Sequence, residues 1–274
     1  MTTQATDQAV EDRNPLPAIF VSHGSPAVAL DDDDYTRALR RIAAIAPTPR
    51  AIVVVSAHWQ SAAPLRVTGA ARPESIYDFG GFPEVLYGLT YPCPGAPDLA
   101  ASIVESLAGA GLPAVLDPRR GLDHGAWIPL RFVYPEAAIP VVQVSLPRAA
   151  DPDLLMRMGG ALAPLRRRGI LLLGSGGVVH NLERVAFENK GAPVDPWARA
   201  FDDWFRDRLE ARDFAAITAF RGTAPHHDLA VPTSEHFDPI HFVLGMAEAD
   251  ERAIHLYEGF QHANLSMRCF ALGR

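Results

Sequence analysis

The sequence predicts an α/β fold: one domain, built on a central sheet, largely parallel or mixed, with helices on both faces and late strands at an edge. Three observations lead there. Six apolar runs recur along the chain, and several are apolar at every position rather than at alternate ones. Strands that are buried on both faces read in this way. Amphipathic, helix-like segments separate the runs, and strand–helix alternation implies crossover connections between mostly parallel strands. No internal repeat, low-complexity stretch or linker divides the chain.

The strand runs are AIFVS (18–22), AIVVVSA (51–57), LRVTG (65–69), AVLD (114–117), PVVQVSL (140–146) and GILLLGSG (169–176). Helical patterns occupy 34–46, 98–110, 127–134, 151–168, 197–212 and 235–249. The acidic run Asp31–Asp34 reads as a helix N-terminus, where negative charge meets the positive end of the macrodipole. The segment HLYEGFQHANLSMRCFALG reads as two late strands, a hairpin at the sheet edge. Residues 1–16 are polar and acidic and read as a flexible tail before a single catalytic domain spanning 17–274.

With 274 residues and 48% apolar composition the chain can bury a substantial core. A formal net charge of −7, with no basic cluster beyond Arg166–Arg168, excludes a nucleic-acid binder that works by displacing counterions. The N-terminus lacks the basic and apolar regions of a secretory signal. No apolar run approaches the roughly 18 residues of a membrane helix. Two cysteines and no Cys-x-x-Cys speak for a reducing, cytoplasmic setting and against a structural zinc site.

The chemistry lies in the histidines. Val53–Ser61 (VVVSAHWQS) and Ala18–Pro26 (AIFVSHGSP) are both apolar runs that end in Ser and His. In open α/β sheets ligands bind beyond the carboxyl ends of the strands, so His23 and His58 are expected just past two such ends, facing one cleft. His124 sits in GLDHGAW, between an Asp that could orient it and a Gly that permits close approach. His180 follows the glycine cluster of GSGGVVHN, and His236 and His241 lie in TSEHFDPIHF, with Thr233 or Ser234 as a helix cap. The glycine cluster lacks the spacing of a dinucleotide loop and the lysine of a Walker loop. His226, His227, His255 and His262 read as structural. There is no H-E-x-x-H and no G-x-S-x-G. Ser56 or Ser175 beside a histidine would be needed for a serine hydrolase. Histidines on separate elements, without thiolates, suit one mononuclear site for iron, zinc or another first-row metal.

Taken together, FVSHGSPAVAL, AIVVVSAHWQ, IYDFGGFPEVLYGLTYPCPG, GLDHGAWIPLRFVYPEAAIPVVQVSL, SGGVVHNL and PTSEHFDPIHFVLG, in this order, resemble the class III extradiol ring-cleaving dioxygenases of the LigB superfamily, and within it the DOPA 4,5-dioxygenase type. The resemblance spans residues 17 to 246. It implies a non-haem Fe(II) enzyme that opens a catechol such as L-DOPA with O2 to a semialdehyde, with zinc able to occupy the site in isolated protein. It implies His23 and His58 as metal ligands. The late ligand is Glu235 or His236, and the DOPA-type pattern favours His236. His180 matches the acid/base histidine and stands close enough to be a fourth ligand. His124 matches a histidine that contacts bound oxygen or a substrate hydroxyl. Arg72, Tyr77 and Asp78 are candidate pocket residues or a structural loop. The implied partners are a small catechol and O2, with no nucleic acid and no membrane, for a monomer or small homo-oligomer. The alternatives are a zinc-dependent hydrolase on the same scaffold and a non-enzymatic binding protein.

Overall fold

The computed structural model describes residues 14–46, 48–148 and 151–274. Most of the expected N-terminal tail, residues 1–13, lies outside the described residues.

An eight-stranded sheet in the order β4-β3-β5-β2-β6-β1-β10-β7 forms the middle layer. Its strands are β1 (Ala18–Ser22), β2 (Ala51–Ser61), β3 (Leu65–Thr68), β4 (Ala114–Asp117), β5 (Val141–Pro147), β6 (Ile170–Gly176), β7 (Arg252–Tyr257) and β10 (Cys269–Gly273). The four central strands, β5, β2, β6 and β1, are mutually parallel. β10 runs antiparallel to β1 on one side, and β3 runs antiparallel to β5 on the other. All six apolar runs are strands of this sheet.

Alternation along each central strand splits the core in two. Phe20, Val53, Val55 and Leu172 point into one apolar layer, while Ile19, Ile52, Val54, Leu171 and Leu173 point into the other. The first layer is covered by α2 (Pro97–Gly109), α4 (Pro152–Leu162), α5 (Pro196–Glu210) and α9 (Asp238–Leu244), and the second by α1 (Asp34–Ile45) and α3 (His124–Val133). Short helices α6 (Phe214–Thr218), α7 (Phe220–Thr223) and α8 (His227–Ala230) connect α5 to α9. Burial on both faces is why these strands carry no polar alternation.

The acidic run does begin a helix. Asp33 caps α1 by accepting from the Thr36 amide at 2.9 Å, and the Thr36 hydroxyl accepts from the Asp33 amide at 3.0 Å, a reciprocal capping box. Three expectations need correction. The late strands are antiparallel partners, but β10 inserts between β1 and β7, and the connection holds a separate pair, β8 (Phe260–Gln261) and β9 (Leu265–Ser266). The helix expected over 235–249 runs only from Asp238 to Leu244, with Phe237 at its cap and neither Thr233 nor Ser234 capping it. The carbonyl of His236 is taken by the amide of Gly177 at 2.8 Å, which ties that residue to the end of β6 instead of to the first helical turn. Thirdly, His58 lies inside β2 rather than past its end: pairing with β6 stops at Ser56, while pairing with β5 resumes at Gln60 after an irregularity.

Candidate metal centre and its cavity

The irregularity in β2 frees residues 57–59 from the β6 ladder at the level where β1 and β6 end. His58 thereby turns into the space beyond the central strands. His23 follows β1 directly and is anchored by its amide to the Gly176 carbonyl at 3.1 Å. Gly24, at φ 67°, then turns the chain into a short 3-10 helix. His124 is the first residue of α3. His180 follows β6, its amide bonded to the Ala230 carbonyl at 3.0 Å. His236 precedes α9. All five line one cavity of about 250 Å³, together with Asp78, Phe79, Phe82, Leu182, Phe187 and others.

His23, His58 and His236 form a nearly equilateral triangle, with ring centroids 4.8, 5.2 and 5.0 Å apart. The Nε2 atoms of His23 and His58 approach to 3.0 Å. The tautomer of His23 follows from its partner. The Ser175 hydroxyl donates its one proton to the Gly125 carbonyl at 2.5 Å, so at 2.9 Å it can only accept from Nδ1–H of His23. Nε2 of His23 is therefore a lone pair aimed at His58.

His124 and His180 stand against this triangle. His124 lies 4.0 Å from His58 between centroids, and Asp78 accepts from both its Nδ1 and its amide, at 2.9 and 3.0 Å. His180 stacks on His236 at 3.5 Å and 8°. Glu235 stands behind His236, 3.2 Å from Nδ1 and bonded to Thr233, and does not line the cavity. Grouped by ligand-atom proximity, the residues fall into His23, His58, His124 and His180, Glu235, His236. The histidines of both groups line the same cavity.

Burial holds His23, His58, His180 and His236 neutral. His23 and His236 are pushed well below the ordinary histidine range, first by burial and then by their neighbouring histidines. His58 falls to about 3 through burial and the nearby His124, although Asp78, 3.6 Å from its Nδ1, pulls the other way. His180 falls to about 4, chiefly by burial. Burial alone would raise Asp78, but hydrogen bonds and charge from His124 prevail and bring it to about 2. Buried imidazoles that converge on one cavity, with the Nε2 lone pair of His23 among them and the Asp78 carboxylate behind, have the donor chemistry of a divalent-metal site.

Glycines make room for the cluster. A Cβ on Gly125 would meet Ser56 Oγ at 2.5 Å and His23 Nδ1 at 3.1 Å, and one on Gly176 would meet the His236 carbonyl at 2.0 Å. The close approach expected at Gly125 is present, and the glycines after β6 bring the His236 segment against the sheet. Asp123, in contrast, does not orient His124. It caps α3 and accepts from Ser56 at 2.7 Å and from Gln143. The orienting residue is Asp78, and the signal for it was the aromatic-rich stretch YDFGGF, which also supplies Phe79 and Phe82. Tyr77 and Arg72 line a different cleft, with Thr90–Pro94.

Ser56 and Ser175 are fully buried beneath the histidines and spend their protons on Asp123 and Gly125, so neither can act as a hydrolytic nucleophile. The histidines read as structural stay away from the cavity: His255 meets Glu210, Glu258 and Arg268, His262 bonds the Ala186 carbonyl, and His227 meets Asp228. His241 is buried in α9 against Phe237 and Phe220.

Residues 17–268 match the family described as the catalytic LigB subunit of aromatic ring-opening dioxygenase. The chain belongs to the LigB family. It is 40% identical over 261 residues to a 4,5-DOPA dioxygenase extradiol of Escherichia coli K12, covering 94% of this chain and 95% of that protein. It is also 40% identical over 243 residues to one of Beta vulgaris, covering 85% and 88%. The crystal structure of an uncharacterized Escherichia coli K12 protein superposes with a TM-score of 0.80 at 36% identity, covering 94% of this chain and all of that one. The chain is thus an extradiol, ring-opening dioxygenase of a metal-dependent family, and the hydrolase alternative is not favoured. Among the described residues no helix is long and apolar enough to cross a membrane.

Proposed function

We propose that this protein cleaves the ring of a catechol such as L-DOPA with O2, beside the diol, using one Fe(II) held by His23, His58 and His236. The carrying observation is the facing pair of Nε2 atoms on His23 and His58, completed to a triangle by His236, in a chain of this family. The two Nε2 atoms stand 3.0 Å apart; without metal a neutral His58 donates its one proton to His23 across that gap, and with that proton on Nδ1 both lone pairs are free for a cation. Iron, when bound, would bring catechol and O2 together and let charge pass between them.

The remaining residues prepare the substrate. His180 is neutral at pH 7 and can take a proton from a catechol hydroxyl on a ring nitrogen, then return it after ring opening. Its stacking on His236 supports the acid/base role, and coordination as a fourth ligand is the alternative. His124, held through Nδ1 by Asp78, keeps Nε2 as its acceptor toward a substrate oxygen. Phe79, Phe82, Phe187 and Leu182 wall the cavity and exclude water from the reacting ring. Zinc suits the same donors and would fill the site without supporting turnover. A reducing, cytoplasmic setting accords with Cys93 and Cys269, both buried and free.

The test is anaerobic reconstitution with Fe(II), then O2 uptake and visible absorbance with L-DOPA, other catechols, monophenols and plain esters. One O2 consumed per catechol, with a yellow semialdehyde and no reaction of monophenols, supports the reading. Ester hydrolysis without O2 uptake, equal with zinc, contradicts it.

A further inference from the structure

The cavity wall has a charge character that bears on the substituent of the ring. Its lining offers the Asp78 carboxylate, which accepts from Nδ1 of His124, and the apolar side chains of Phe79, Phe82, Leu182 and Phe187; among the described residues no lysine or arginine lines it. Leu182 and Phe187 are 53% and 55% exposed, among the largest apolar exposures on the molecule, and both belong to the segment after β6 that borders the cavity. The same segment carries Lys190, but that ammonium is committed to Asp31 and Asp33 at 2.6 and 2.7 Å. Arg184, two residues from Leu182, does not line the cavity. A substituent leaving the ring past Leu182 and Phe187 therefore meets an apolar rim that, among the described residues, holds no lysine or arginine to receive an anion. An unpaired carboxylate placed there loses its hydration without compensation.

Resting on the ring-cleavage reading above, we infer that this site selects catechols whose substituent is neutral or cationic and discriminates against those bearing a carboxylate on a short arm, with Leu182 and Phe187 contacting the substituent. A zwitterionic side chain such as that of L-DOPA, long enough to carry its carboxylate past the rim beside its own ammonium, falls between the two.

The experiment uses the full-length, iron-loaded protein and matched catechols: 4-ethylcatechol, dopamine, L-DOPA and 3,4-dihydroxyphenylacetate, with kcat/KM from O2 uptake and Kd from anaerobic titration. The expected order places 4-ethylcatechol and dopamine first, L-DOPA between and 3,4-dihydroxyphenylacetate last, at least about tenfold below 4-ethylcatechol in both kcat/KM and affinity. In Leu182→Arg, a change at a half-exposed position, the ratio of 3,4-dihydroxyphenylacetate to 4-ethylcatechol kcat/KM should rise at least about fivefold. Equal or better use of 3,4-dihydroxyphenylacetate by the wild-type protein overturns the inference while leaving ring cleavage intact. So does a preference for the anion that Arg184→Ala removes. No O2 uptake with any catechol removes the ring-cleavage reading and this inference together.

Discussion

The two ends of the central sheet both bury polar groups, but they satisfy them in opposite ways. At the end where the parallel strands begin, Arg166 is 1% exposed and fully engaged: it pairs with Glu251, also 1% exposed, and donates to the carbonyls of Leu16, Met246 and Leu272. The Glu251 carboxylate also accepts from the amide of Glu248. At the other end, five histidines converge, two present their Nε2 atoms to each other, and the protein supplies partners only for the outer ring nitrogens: Ser175 for His23, Asp78 for His124, Glu235 for His236. At one end the buried charges pair with protein groups; at the other, five imidazoles converge on one cavity. The difference teaches that burial of polar groups does not by itself mark a site; convergence of metal-ligand side chains on one cavity does.

The Arg166 end should break first as a matter of stability. Glu251→Ala leaves the Arg166 guanidinium buried without its counter-ion, and is expected to cost about 3–5 kcal/mol. Denaturant unfolding measures this, and metal stoichiometry of the folded fraction should stay at the wild-type value. A loss of metal in protein that remains folded would mean that the two ends are not independent.

His180→Ala sharpens the contrast from the other side. It should leave the fold and most catechol binding in place while turnover falls by roughly 10²–10⁴-fold, the range for a general acid or base. Anaerobic catechol titration alongside steady-state O2 uptake separates the two effects. Complete loss of metal would make His180 a ligand and move the proton-transfer role to His124.

The pH response of the metal-free protein is the smaller effect. His58 and His180 have folded-state values of about 3 and about 4, below the ordinary 6.5. The unfolded chain thus binds protons that the folded one refuses. Their contribution to stability is complete above about pH 6.5 and is lost as pH falls from there toward 4 and then 3. The Tm of metal-free protein should be flat above pH 7 and decline through that window. A Tm that rises on acidification to pH 5 would contradict neutral burial of the histidines.

Much of this was legible in the sequence, for physical reasons that can be named. Central strands such as Ile170–Gly176 are buried on both faces, so apolar runs without alternation located the four central ones, while β3 and β4 showed only as short, partly exposed apolar runs. His23, His58, His124, His180 and His236 stand in the stretches that carry the family resemblance, and the structure gathers all five in one cavity. What was not legible depended on contacts distant in sequence. Asp78 reaches His124 across 46 positions and Ser175 reaches His23 across 152, and neither pairing leaves a local pattern. Asp123 looked like the orienting carboxylate because it is adjacent, yet neighbouring residues on a helix start point apart, and its oxygens face the amide of Ala126 and the side chains of Ser56 and Gln143. The shortened α9 is another non-local effect, since the carbonyl of His236 is captured by β6.

The central claim is that the histidine end is completed by one divalent ion. The direct measurement is anaerobic titration of metal-free protein with Fe(II), following bound metal and Tm together, for the wild type, His58→Ala and Glu251→Ala. A ligand that binds only the folded state raises Tm in proportion to its affinity. The account predicts one Fe(II) per chain and a raised Tm for the wild type, no stoichiometric binding and no rise for a still-folded His58→Ala, and one Fe(II) with a rise from a lower starting point for Glu251→Ala. Stoichiometric, full-affinity metal in His58→Ala would contradict it.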